Sequence, residues 1–169
     1  MNVGCVPKKV MFNLAMFMED AHIAMPAYGV KGLDRLSIDF LTFKKARDAY
    51  IKRLHAIYHK NMSASGVEYV PGYASFSGDK LVNVEGQTYT SDHILIASGG
   101  KADNGSFEGA ELCMNSDDIF AMEELPKEMV VIGGGYIALE MAQILNSFGV
   151  KVTVVIRSSP LKFVDHEIV

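Results

Sequence analysis

The stretch that most constrains this chain runs from Val130 to Arg157, VVIGGGYIALEMAQILNSFGVKVTVVIR. A short apolar run, Val130 to Ile132, meets Gly133-Gly134-Gly135 at once. Ile137, Met141, Ile144, Leu145 and Phe148 then recur at helical spacing and predict one apolar stripe. Gly149 follows where a helix end wants a left-handed residue. Val150 to Ile156 is β-branched and predicts a buried parallel strand. Strand, glycine turn, helix and strand together take up roughly thirty residues, the length of a βαβ crossover.

The turn has the form Gly133-x-Gly135-x-x-Ala138. In a dinucleotide-binding turn the first glycine allows the tight bend and the second lets a pyrophosphate approach the backbone. The third small residue lets helix and strand pack closely. Free N–H groups at the helix start then face the phosphates. The pattern alone is weak, and its strand–turn–helix–strand setting is what supports it. The alternative is a βα turn that binds nothing. At the end of the second strand an NAD site wants Asp or Glu, for the ribose hydroxyl. This chain has Ile156 and Arg157 there, with Lys162 close behind. A cation suits a 2′-phosphate, so NADP is expected over NAD.

Composition sets the surroundings. Hydrophobic residues make up 49% and charged residues 21%, values of a globular protein. A net charge of −4 argues against general nucleic-acid binding. No apolar run reaches a membrane span. Lys8 and Lys9 precede an apolar run from Val10 to Met18, as in a short signal peptide. Asn13 interrupts that run and no small-x-small cleavage site follows, so secretion is not expected. Two cysteines, Cys5 and Cys113, make no disulfide framework, and a reducing, cytoplasmic setting is expected. No metal-ligand cluster stands out.

Taken in order, Gly4, Cys5 and Pro7 form a turn into a helix striped by Val10, Leu14, Phe17 and Ala21. A cysteine at a helix start beside Lys8 and Lys9 favours the thiolate; a buried structural cysteine is the alternative. Residues 26–41 read as a Pro- and Gly-punctuated link. Thr42 to Ser65 predicts a long helix with an apolar stripe of Phe43, Ala46, Tyr50, Leu54, Ile57 and Met62. Its other face carries Lys44, Lys45, Arg47, Lys52, Arg53 and Lys60, the pattern of a solvated face. From Val67 the period changes to two. Tyr73–Phe76, Leu81–Val84, Gln87–Thr90 and His93–Ala97 predict short strands, with turns at Gly78-Asp79 and Glu85-Gly86. Lys101 to Glu128 reads as a polar link, with Cys113 structural in it.

Several of these segments carry a resemblance. NVGCVPKK, residues 2–9, resembles the second half of the redox motif CVNVGCVPKK of the FAD-dependent pyridine nucleotide-disulfide oxidoreductases. Its Pro-Lys-Lys ending is that of the glutathione reductase branch, whereas dihydrolipoamide dehydrogenases usually carry Pro-Ser-Lys. RDAYIKRLHAIYHKN is similar to the branch's glutathione-contacting helix, HILIASGG to its strand ending in Ala-Thr-Gly, and GGGYIALE to the start of its NADP domain. The likeness covers essentially the whole chain and only the middle of the family's protein. Thioredoxin and trypanothione reductases are the alternatives within the family, and the latter differs along the substrate helix.

The resemblance implies a fold and a set of roles. The fold is α/β: a partial FAD domain of helices and an antiparallel meander over residues 1–100, then the first βαβ of a Rossmann-like NADP domain over 101–169. Cys5 would be the flavin-side cysteine, Lys8 and Glu140 a flavin-adjacent pair, and Tyr136 the tyrosine that covers the flavin until nicotinamide displaces it. Ser98 and Gly99 match the Ala-Thr-Gly turn, with serine for threonine. Arg157 matches a 2′-phosphate arginine. Lys162 falls near a position where the family commonly has a second arginine, and a lysine lacks the bidentate fork. Tyr50, Ile57, Tyr58 and Asn61 would meet glutathione disulfide. FAD and NADP are the implied cofactors and a homodimer the implied assembly. The partner cysteine, the FAD-binding glycines, the remaining NADP domain and the dimerisation domain with its catalytic histidine are expected outside this chain. On that reading the chain is an internal fragment, inactive by itself. The alternative is a catalytically inert remnant serving as a nucleotide-binding or interaction module.

Overall fold

The computed structural model describes residues 2–165 and 167. In chain order its elements are α1 (Cys5–Glu19), a π-helical turn (Asp20–Ala24), α2 (Met25–Ala27), a 3-10 turn (Leu33–Arg35) and α3 (Phe40–Ala64). Three strands follow, β1 (Ala74–Gly78), β2 (Leu81–Val84) and β3 (Gln87–Thr90). A second 3-10 turn (Ala110–Leu112), α4 (Ser116–Ala121), β4 (Glu128–Ile132), α5 (Tyr136–Ser147) and β5 (Lys151–Val155) complete the order. Helices and small sheets thus mix as in an α/β fold. Residues 53–101 form one compact unit, and the segments on either side of it form the other.

In the larger unit β4 and β5 pair in parallel, in register from Glu128 opposite Lys151 to Ile132 opposite Val155. α5 is the crossover between them. It ends as the sequence requires: Gly149 adopts φ +92°, Val150 N–H donates to Leu145 O at 3.0 Å, and Gly149 N–H donates to Asn146 O at 2.9 Å. Its buried face, Met141, Ile144, Leu145 and then Phe148, joins Met11, Ala15, Phe40, Ile119, Phe120 and Val150 in one core. Each large side chain here contributes about 1.5–3 kcal/mol by leaving water.

The core corrects several expectations. α1 buries Pro7, Met11 and Ala15, whereas Phe17 from the expected stripe is 68% exposed. Nearly every position of VMFNLAMFM is apolar, so spacing alone does not select a face; the packing of α1 against α5 does. The segment read as a polar link holds α4, which inserts Ile119 and Phe120 into the core. α4 begins with a capping box: Asn115 Oδ1 accepts from Asp117 N–H at 2.9 Å, and Asp118 Oδ2 accepts from Asn115 N–H at 2.8 Å. Ile137, placed on the α5 stripe, is exposed, and β5 is largely exposed rather than buried.

α3 shows the largest departure. Its buried residues are Phe40, Arg47 and Ile51, whereas Ala46, Tyr50 and Ile57 of the expected stripe are exposed. Arg47 belongs to no solvated face; it is 3% exposed. Its guanidinium donates to Phe120 O at 2.6 Å, grips Asp48 Oδ1 through Nε at 2.9 Å and Nη2 at 2.7 Å, and reaches Met11 Sδ at 3.6 Å. The charge is tolerated because each guanidinium nitrogen has an acceptor. Partial burial pushes the Asp48 carboxyl up, but hydrogen bonds from Lys44 and Arg47 outweigh it, so it stays below its ordinary value.

α3 starts at Asp39, whose carboxylate accepts from Thr42 Oγ1 at 2.7 Å and Thr42 N–H at 3.0 Å, an N-terminal cap. Those bonds hold the Asp39 carboxyl below its ordinary 3.8. A lowered folded value means that the cap's contribution is present above pH 3.8 and is lost as pH falls through the folded value. The Thr42 amide signal in NMR is therefore expected to follow an acid titration with a midpoint below 3.8. A midpoint at or above that value would mean that the cap does not form in solution.

The smaller unit is an antiparallel β1-β2-β3 meander. Glu85 and Gly86, at φ +49° and +87°, form the two-residue turn that sets Val84 opposite Gln87. The first turn lies one residue later than expected, with Lys80 at φ +53°. His93–Ala97, expected as a strand, is irregular, with Leu95 90% and Ile96 71% exposed. A strand is a paired state, and no segment of the described chain pairs with this one.

Candidate nucleotide and thiol site

Three glycines shape the start of α5, each for a different reason. Gly133 sits at φ +135°, a conformation that side chains rarely adopt, and its N–H donates to Val155 O at 2.9 Å. A Cβ there would lie 3.5 Å from Ala138 Cβ, so the small residue at 138 is what lets the turn close on the helix. Gly134 is hemmed in: a Cβ would come within 2.8 Å of Ile156 Cγ2 and 3.3 Å of Pro160 Cα. Its carbonyl also accepts from Leu161 N–H at 2.7 Å. Gly135, the N-cap of α5, has ordinary φ, −81°, and a Cβ there would meet nothing within 4 Å. That open space lies at the mouth of the helix, where no side chain caps the first turn. The N–H groups of Tyr136, Ile137 and Ala138 lack partners within the helix, and the dipole adds positive potential.

Gly134 is the residue that the fingerprint reading passed over, since its position in the motif is unspecified. The signal was the unbroken run of three glycines. Through its carbonyl bond to Leu161, the turn is tied to the segment after β5, the segment that carries Lys162. Arg157 stands two residues beyond β5, exposed and without an ion-pair partner among the described residues. Lys162 is also exposed, its ammonium 5.2 Å from the Phe163 ring centroid.

Cys5 is the first residue of α1, exposed, behind Gly4 at φ +118°. One turn on, Lys8 Nζ meets Glu140 Oε1 at 2.6 Å, with the two side chains 20% and 36% exposed. Glu140 lies four residues beyond Tyr136, which is exposed at the first position of α5, so the two share one helix face. Four of the expected residues thus fall on one helix pair: Cys5 and Lys8 on α1, Tyr136 and Glu140 on α5. Tyr50 lies on α3 in the same unit, exposed. Ile57, Tyr58 and Asn61 belong to the smaller unit and are exposed on α3, and Ser98 and Gly99 are exposed in the irregular segment of that unit, Gly99 at φ +75°.

Cys113 is half-buried, its thiol 3.8 Å from Gly109 O. Both thiols are free. Brief alkylation followed by mass spectrometry is expected to label Cys5 well ahead of Cys113, by about tenfold, because Cys5 is exposed at the start of α1 and Cys113 is half-buried. Predominant labelling of Cys113 would refute this. Among the described residues no cluster is suited to a metal ion and no helix is long and apolar enough to cross a membrane.

A glycine turn opens α5, and the helix packed against it begins with an exposed thiol. The family model for the pyridine nucleotide-disulphide oxidoreductases matches residues 1–169, and the chain belongs to that family. Its members are oxidoreductases that generally bind FAD and nicotinamide nucleotides.

Proposed function

We propose that this chain contributes the redox thiol and the nicotinamide-nucleotide cradle of an NADPH-dependent, glutathione-disulfide-reducing flavoenzyme. The observation that carries the reading is the α1–α5 pair. The helix that starts with Cys5 is joined to the helix that starts at the glycine turn by the Lys8–Glu140 ion pair at 2.6 Å.

The nucleotide fits what is present. The open space at Gly135 and the uncapped first turn of α5 suit a pyrophosphate, Ala138 keeps the turn closed, and Arg157, with Lys162, suits a 2′-phosphate. For FAD the described residues offer no second cradle of this kind, because one strand–glycine turn–helix is present and the nucleotide takes it. Ser98 and Gly99 are assigned as a flavin-side turn by resemblance alone, and no step is derived through the flavin. In the family the flavin supplies the hydride acceptor between nicotinamide and thiol. In this chain Lys8 would hold a positive charge near that centre, with Glu140 fixing it, Tyr136 would gate the nicotinamide side, and Cys5 would be the thiolate on the flavin side.

Residues 1–100 and 101–169 are assigned to the FAD and NADP domains respectively, with a homodimer as the assembly and the cytoplasm as the compartment. Tyr50, Ile57, Tyr58 and Asn61 would meet glutathione disulfide. Heteronuclear NMR of the chain titrated with oxidised glutathione tests that assignment. Shifts at these four residues, reduced in Tyr58→Ala, are the expected result. Binding unchanged by Tyr58→Ala would remove the glutathione assignment and leave the family.

A further inference from the structure

A second cavity lies at the other end of α5 from the glycine turn. It is a depression of about 360 Å³, open to solvent, with a volume in the ordinary range of small-ligand sites. The last turns of α1, the π-helical turn and the C-terminal end of α5 wall it, all within the larger unit. The four side chains Glu19, His22, Gln143 and Asn146 bring polar groups to it, beside the hydroxyls of Ser37 and Ser147. None of the four side chains makes a hydrogen bond or an ion pair among the described residues. His22, Gln143 and Asn146 are exposed and turned to solvent, whereas Glu19 is half-buried and has no cation beside it among the described residues. No lysine or arginine lines the cavity. The C-terminal end of a helix adds negative potential from the same side. Ile23, Leu36 and Ile38 supply the apolar wall. A π-helical turn interrupts the helix where His22 and Ile23 enter, and such turns occur frequently at functional sites.

We infer that this cavity is a binding site for a small organic ammonium ion, its charged head at Glu19 and the amides of Gln143 and Asn146, its apolar body against Ile23, Leu36 and Ile38. An anion is disfavoured by Glu19 and the helix end. A neutral molecule would leave the half-buried carboxylate without a charged partner. The site is separate from the glycine turn and does not depend on what the turn binds.

The test is heteronuclear NMR of the full chain titrated with phenethylammonium chloride, with phenethyl alcohol and 3-phenylpropionate as the neutral and anionic counterparts. The expected result is saturable shifts at Glu19, Ile23, Leu36 and Asn146 with the ammonium, binding about tenfold weaker with the alcohol, and none with the carboxylate. Glu19→Gln should weaken ammonium binding by about tenfold while leaving the alcohol unchanged. The parent contrast between ammonium and alcohol decides the matter even if that variant fails to fold, and Asn146→Ala, at an exposed position, is the second variant, expected to bind the ammonium more weakly. Equal binding of ammonium and alcohol, shifts confined to other residues, or full affinity in folded Glu19→Gln would overturn the inference.

Discussion

NADPH is expected to bind this chain at least about tenfold more tightly than NADH, and Gly135→Val is expected to abolish the binding of both. The preference rests on Arg157. It stands exposed beyond β5 with no ion-pair partner among the described residues, so no internal contact is lost when it meets a phosphate. A charge-assisted hydrogen bond contributes about 1.5–3 kcal/mol, which sets the tenfold floor. Arg157→Ala should bring the two affinities together, and rising salt should narrow the gap in the parent because a rim contact is screened. Gly135→Val separates binding from folding. The glycine has an ordinary φ and its added Cβ would touch no protein atom, so the fold should survive. The new side chain would stand at the mouth of α5, where the pyrophosphate needs the backbone, and a loss on the order of a hundredfold is expected there. Gly134→Val is the contrast, because its Cβ would collide with Ile156 and the Pro160 backbone and should destabilise the chain itself. Equal affinity for the two nucleotides in the parent, measured by fluorescence titration, would end the NADP assignment; full binding by Gly135→Val would end the cradle.

How far the fold was legible depends on how local its causes are. The glycine turn, α5 and its Gly149 stop could be read directly because each follows from backbone geometry within a few residues. The two-residue turn at Glu85-Gly86 was legible for the same reason. Faces were less so. α1 is apolar nearly all round, and only its contact with α5 chooses Met11 over Phe17. α4 was lost in the polar stretch 101–128 because it is a short helix whose two apolar residues, Ile119 and Phe120, matter through distant partners. The segment 93–97 was over-read, since β-branched sequence states a preference and pairing makes a strand. At the candidate site, Cys5, Lys8, Tyr136 and Glu140 were named from resemblance, and spacing alone carries no hint that residues 132 positions apart meet. Gly134 and Arg47 were missed in their actual roles. Both act through packing against segments far away in sequence.

Arg47 leads to the second large effect. Arg47→Ala is expected to destabilise the larger unit by about 2–4 kcal/mol, the cost of a core cavity together with an unpaired buried carbonyl. The side chain is 3% exposed and joins three elements: it extends from α3, bonds the carbonyl of Phe120 in α4, and packs on Met11 of α1. Removing it leaves a cavity and strands the Phe120 carbonyl at once. Set against a whole-domain stability of about 5–15 kcal/mol, the loss is large enough to populate unfolded chain at ordinary temperature. Arg47→Met separates the two contributions. Methionine refills much of the volume, so its remaining deficit, about 1–3 kcal/mol, measures the unpaired carbonyl. Arg47→Lys keeps the charge but not the fork, and should fall between Met and the parent if geometry matters more than charge. Asp48→Asn is the comparison at the open end of the network. That carboxylate is 46% exposed, and its pairing should contribute no more than about 1 kcal/mol. Urea unfolding of the four variants gives the order directly, and hydrogen exchange at the α4 amides should accelerate first in Arg47→Ala, because Phe120 is where the strut is anchored. A change within about 0.5 kcal/mol of the parent, the size of an ordinary surface substitution, would show that the guanidinium does not occupy this position in solution.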